Sequence, residues 1–133
     1  MRTVAIRACN GRYLCAEDGG NQPVSANRDQ VGEWETWDII PLPPRMQGNS
    51  FVCLRSHSNG HFLCSDHNNN YRLVANRKKC TDWEQFQIEC HGNQARFRAV
   101  NNGKYIMVDQ AGNLYTHSDM ADANETFLLE YLD

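Results

Sequence analysis

The sequence predicts an all-β chain that closes on itself from three related units. Three observations carry that expectation. A unit of about 40 residues recurs three times, a period typical of arrays and closed pseudo-symmetric folds, within a chain of 133 residues. Each copy opens on alternating apolar positions, as half-buried strands do, and runs into an Asn-Gly pair, the strongest short hairpin signal. No long stretch has the 3.6-residue period of a helix.

The elements follow in order within each copy. The opening strands hold Val4/Ile6/Ala8, Val52/Leu54/Ser56 and Ala95/Phe97/Ala99 at alternate positions. Asn10-Gly11, Asn59-Gly60 and Asn102-Gly103 follow, because both residue types tolerate positive φ. A second strand comes next in Tyr13-Leu14-Cys15, Phe62-Leu63-Cys64 and Tyr105-Ile106-Met107. Polar stretches then span Glu17 to Asn21, Asp66 to Asn70 and Asp109 to Asn113. A third strand carries Val24-Ser25-Ala26-Asn27-Arg28, Leu73-Val74-Ala75-Asn76-Arg77 and Leu114-Tyr115-Thr116-His117-Ser118. The last opens near Trp34-Glu35-Thr36-Trp37, Trp83-Glu84-Gln85-Phe86 and Asn124-Glu125-Thr126-Phe127.

The offsets agree between copies. Gly11 to Asn27 and Gly60 to Asn76 are both 16 residues, and Arg28–Trp37, Arg77–Phe86 and Ser118–Phe127 are each nine. About twelve strands result. Three such units suit closure better than an open solenoid, whose ends need polar caps. The expectation is therefore a β-trefoil in a single domain, 1–133, with repeats of about 1–45, 46–91 and 92–133. The proline-rich stretch from Pro41 to Ser50 reads as a loop between repeats, since the strand pattern resumes at once. Trp37, Phe86 and Phe127 are the expected aromatic core.

Composition limits the function. The chain is 41% hydrophobic and 22% charged, with a formal net charge of −3. Aromatic and aliphatic residues run throughout, which excludes disorder. No apolar run reaches the ~18–20 residues of a membrane span. A mildly acidic chain without a Lys/Arg block does not read as a nucleic-acid binder. The chain shows no apolar leader, so the compartment read by default is the cytoplasm. Its six cysteines read as structural rather than as a disulfide framework: Cys15 and Cys64 align with Met107, which points to small buried hydrophobes. Neither the cysteines nor the five scattered histidines have metal-ligand spacing, and no cofactor is expected.

The pattern of strand, Asn-Gly-x-aromatic-Leu, polar turn, Ala-Asn-Arg and Trp-Glu-x-aromatic resembles the fascin-like class of β-trefoils. Phe51-Val52-Cys53-Leu54-Arg55-Ser56-His57 with Gly60-His61-Phe62-Leu63 is the best local match. The resemblance implies a β-trefoil across essentially the whole chain. It also implies two kinds of partner, since such trefoils include actin-binding proteins and modules that bind carbohydrate.

Trp34-Glu35 and Trp83-Glu84 are the candidate binding pairs. An indole offers a flat platform to the C–H face of a sugar, and a neighbouring carboxylate accepts hydrogen bonds from vicinal hydroxyls. Asn27-Arg28 and Asn76-Arg77, at matching offsets, would add donors at the rim. Glu125 marks the third position, where Asn124 replaces the indole and His117-Ser118 replaces Asn-Arg. Against this stands a packing role, with each Glu paired to an arginine such as Arg7, Arg55 or Arg98. Glu17, Asp18, Asp66 and Asp109 fit turn chemistry better than catalysis. The expected function is a non-enzymatic, multivalent, lectin-like module binding a glycan or polysaccharide, with filamentous actin as the alternative partner.

Overall fold

A computed structural model describes residues 1–44 and 49–133. The boundary expected between the first two repeats falls at 45–48, outside the described residues. Among the described residues twelve strands form: β1 (Arg2–Arg7), β2 (Tyr13–Cys15), β3 (Ser25–Arg28), β4 (Trp37–Pro41), β5 (Ser50–Ser56), β6 (Phe62–Asp66), β7 (Arg72–Arg77), β8 (Gln85–His91), β9 (Gln94–Ala99), β10 (Tyr105–Val108), β11 (Leu114–Ser118) and β12 (Phe127–Tyr131).

The pairing closes a ring. β1 pairs with β4, β4 with β5, β5 with β8, β8 with β9, β9 with β12, and β12 returns to β1, all antiparallel. Six strands thus make a barrel without a free edge, which removes the template for unwanted strand addition. The remaining six form the hairpins β2–β3, β6–β7 and β10–β11, one from each four-strand unit. They meet one another through Tyr115↔Arg72 and Ser25↔Asn113. This is the β-trefoil the repeats predict.

The core sits inside the ring and under the hairpins. Trp37, Phe86 and Phe127 are fully buried, as their alignment requires, together with Leu14, Leu63 and Ile106 from the second strands. Each buried ring contributes roughly 2–3 kcal/mol by removal from water. The indole N–H of Trp37 donates to the carbonyl of Leu14 at 3.0 Å, so the one polar atom of the ring is satisfied.

The Asn-Gly pairs do more than turn the chain. The Asn side-chain oxygen accepts from the backbone N–H two residues on: Asn10 from Arg12 at 2.9 Å, Asn59 from His61 at 2.7 Å and Asn102 from Lys104 at 2.9 Å. The amide groups reach out to the hairpin layer, where Asn10 donates to the Ala26 carbonyl and Asn102 to that of Thr116. A register shift recurs in all three hairpins, at Tyr13/Leu14, Phe62/Cys64 and Tyr105/Ile106. Such bulges sharpen the local twist.

The cysteines depart in part from expectation. Cys15 and Cys64 are buried and free, as the Met107 alignment predicts. Cys53 and Cys80, however, form a disulfide between β5 and the segment after β7. Their 27-residue separation hides the pairing in sequence, because β5 reaches Cys80 only through the sheet.

Candidate functional site

Each repeat builds its candidate site from a hairpin loop and a short 3-10 turn. The turns are Glu33–Glu35, Asp82–Glu84 and Ala123–Glu125, each leading directly towards the last strand of its repeat. Their glutamates point inward. Glu35, Glu84 and Glu125 are 7%, 4% and 5% exposed, and one carboxylate oxygen of each accepts from the backbone N–H three residues earlier. Glu35 takes Gly32 at 2.7 Å, Glu84 takes Thr81 at 2.8 Å and Glu125 takes Asp122 at 2.8 Å. This capping by the glutamate satisfies a backbone donor at the start of the turn. The x-x-x-Glu spacing that carries it is present in the sequence three times, but it reads there as a Trp-Glu pair.

The tryptophans point the other way. Trp34 is 38% exposed and Trp83 is half-buried. In the first repeat Arg28, Glu33, Trp34 and Glu35 line one shallow cavity. Arg28 is held there by Glu17, with Nη2 at 2.7 Å from Oε1, and its Nε lies 3.9 Å from Glu35. Asn27 is exposed and accepts a bond from Arg28 at 3.1 Å. The structure therefore brings Trp34, Arg28 and Glu35 together, with Asn27 at the edge.

In the second repeat Arg77 lies 3.4 Å from Asp66, matching the Arg28–Glu17 pair. Arg7, Arg55 and Arg98 do not reach the capping glutamates. They engage Glu130, Asp38 and the Gly103 carbonyl instead. The ring of His67 sits 5.6 Å from that of Trp83, and Tyr71 meets His67 edge-on at 5.1 Å. His67 was not among the sequence candidates, since its place in the turn His67–Asn69 shows no ligand spacing. Asn76 is exposed at the end of β7.

The backbone under Tyr71 is unusual. Asn70 and Tyr71 both adopt left-handed φ, 54° and 59°. At the corresponding close approaches the other repeats use glycine, Gly20 at φ 101° and Gly112 at φ 85°. A Cβ on Gly20 would overlap the Ala75 carbonyl, and one on Gly112 would lie 2.8 Å from that of Ala26. Tyrosine in this region is strained by roughly 1–2 kcal/mol. Its side chain is the gain that glycine would forgo, and that side chain joins the His67–Trp83 cluster.

The third repeat keeps the frame without the platform. Glu125 caps its turn, but exposed Asn124 stands at the indole position. His117 stacks on Tyr115 at 4.7 Å, and Lys104 pairs with Asp119.

Three acidic residues of the hairpin loops, Glu17, Asp66 and Asp109, are engaged locally. Glu17 holds Ser25 and Arg28, Asp66 accepts from the Asn68 N–H at 3.2 Å, and Asp109 accepts from Ala111 and Asn113 at 2.9 Å each. Among the described residues no group of three or more His, Cys, Asp or Glu is placed to hold a metal ion. Burial pushes the Cys64 thiol up to about 12, with the Glu84 carboxylate beside it adding to the effect. Cys15 is pushed up by burial and by Glu35 in the same way. Both thiols are thus protonated fillers beneath the glutamates rather than nucleophiles.

No family model matches the sequence, and no curated protein does either. Solved structures share the fold. The designed threefold-symmetric protein ThreeFoil superposes with a TM-score of 0.81 at 16% identity, over 98% of this chain and 99% of that one. A Polyporus squamosus lectin, bound to the epitope Neu5Acα2-6Galβ1-4GlcNAc, gives 0.80 at 11% identity, over 98% of this chain and 49% of that one. The chain thus spans about half the length of that lectin. The BEL β-trefoil gives 0.79 at 12% identity, over 98% and 93% of the two chains.

Proposed function

We propose that this chain is a non-enzymatic carbohydrate-binding module with ligand-facing surfaces in its first two repeats. Trp34 and Arg28, with Asn27 at the edge, form one. Trp83, with His67, Tyr71, Arg77 and Asn76, forms the other. The buried glutamates Glu35 and Glu84 fix the turns that present the indoles, so their role is to position the platform. Glu125 does the same for a third turn that presents no ring.

The observation that carries the proposal is the opposed orientation of adjacent residues. Glu35 is 7% exposed while Trp34 is 38% exposed. An indole left at the surface over a fixed turn is a ready stacking platform for the C–H face of a sugar. Two such sites on one small barrel would bind a polymer multivalently, so that linked weak contacts add avidity. The local engagement of Glu17, Asp66 and Asp109 supports binding rather than catalysis. The lectin among the structural neighbours adds support at the level of fold.

A glycan array with the wild type and with Trp34→Ala/Trp83→Ala tests the proposal. Binding that the double variant loses supports it; binding that survives undiminished, or none at all, refutes it. The fascin-like motif from Phe51 to Leu63 supports a second reading, an actin-binding role. Cosedimentation with filamentous actin decides it, and no pelleting above background at low salt removes it.

A further inference from the structure

The three repeats share one frame but not one charge. From the hairpin-loop carboxylate to the capping glutamate, residues 17–35 carry one arginine, Arg28, against five carboxylates. Residues 109–125 carry no lysine or arginine against four carboxylates. Residues 66–84 invert this, with Arg72, Arg77, Lys78 and Lys79 against Asp66, Asp82 and Glu84. Two of the protein's three lysines fall in this one segment. The expectation of a chain without a basic block holds for its total charge and fails locally here.

The structure shows which of these charges are free for a ligand. Arg77 is tied to Asp66, and Arg72 donates to Asn113 at 2.7 Å. Glu84 is buried in its capping box. Lys78 and Lys79 are exposed and form no ion pair or hydrogen bond among the described residues. They occupy the short connection between β7 and the turn Asp82–Glu84, which is fastened on both sides. Arg77 anchors its start, and Cys80 is bonded to Cys53 on β5. Two unneutralised lysines therefore sit on a fastened connection, four and five residues before Trp83 in the sequence.

We infer that the second repeat takes an anionic glycan, one bearing sulfate or carboxylate groups, with Trp83, His67 and Tyr71 against the sugar faces and Lys78 and Lys79 meeting the negative groups. This inference rests on the proposed carbohydrate site and narrows its ligand class. An acidic protein would otherwise repel such a polymer. A local reversal of sign in one repeat both permits approach and favours that repeat over the two acidic ones. At the close approach where the other repeats place Gly20 and Gly112, this repeat places Tyr71, so the basic run and the added aromatic ring fall in the same repeat.

The test is an array in which each glycan is present in an acidic form, sulfated or sialylated, and as its neutral parent. The wild type should prefer the acidic forms. Lys78→Gln/Lys79→Gln should lose roughly tenfold in affinity for them, the size expected of two exposed charges, while its binding to the neutral parents stays unchanged. Trp83→Ala should weaken binding to both forms. Equal binding of acidic and neutral forms through Trp83 overturns the inference and leaves the carbohydrate reading intact. A single-stranded oligonucleotide that binds as tightly as the acidic glycans, with no effect of Trp83→Ala, identifies a mere polyanion surface and also overturns it. If no glycan of either form binds, the carbohydrate reading falls and the inference with it.

Discussion

The backbone N–H of Thr81 donates to Oε1 of Glu84 at 2.8 Å, and between these two residues the turn carries the half-buried Trp83. The hydroxyl of Thr81 donates to the same oxygen at 2.7 Å. A carboxylate that looks from the sequence like a ligand for sugar hydroxyls is thereby occupied by its own turn.

Glu84→Ala should therefore act first on stability. Losing the cap and leaving a buried donor unpaired costs about 1–3 kcal/mol, read as a shift in the urea midpoint. Glu35→Ala should behave alike. Glycan binding should fall because the indole is no longer held. A variant of full stability that nonetheless loses binding would instead make the glutamate a direct ligand.

Tyr71→Gly separates function from folding. Glycine relieves the left-handed strain of roughly 1–2 kcal/mol but adds backbone entropy to the unfolded chain, so stability should stay within about 1 kcal/mol of wild type. Binding through the second repeat should weaken, since the ring beside His67 is gone. Thermal melts together with glycan titration check both halves. A large loss of stability would show that Tyr71 is retained for packing alone.

The Cys53–Cys80 disulfide closes a loop of 27 residues. A cross-link over a loop of that length contributes about 3.5 kcal/mol in the chain-entropy picture. Reduction, or Cys80→Ser, should lower the melting temperature by roughly 10 °C. An unchanged melt under strong reductant would show that the bond adds nothing.

Asp38 sets an acid limit. Burial alone would raise its carboxyl, but hydrogen bonds from His57, Arg55 and Thr3 outweigh burial and hold it below the ordinary 3.8. A depressed carboxyl contributes stability that is complete above its unfolded value and is lost as pH falls through the folded one. Stability should therefore drop below about pH 4. Asp38→Asn should be less stable than wild type at neutral pH and should flatten that acid limb. Parallel acid limbs in the two proteins would place the effect elsewhere.

Much of the fold was legible because it is written three times. The Asn-Gly pairs, the second-strand Leu14, Leu63 and Ile106, and the aromatic set Trp37, Phe86 and Phe127 occupy in the trefoil the places their spacing assigns. The site was less legible because neighbours in sequence face opposite ways. In Trp83-Glu84 the ring and the carboxylate diverge, and only the Thr81 bond shows why. His67 joins Trp83 across 16 residues that no spacing rule links. The basic run Arg77-Lys78-Lys79 was visible, but its weight emerges only when the repeats are set against one another. Cys53–Cys80 was hidden because the sheet, not the sequence, brings the two together.

The most direct test is glycan binding by wild type, Trp34→Ala, Trp83→Ala and the double variant, each checked for a native melt. Each single variant should lose binding in part, and the double variant should lose it altogether. Undiminished binding by a folded double variant would contradict it.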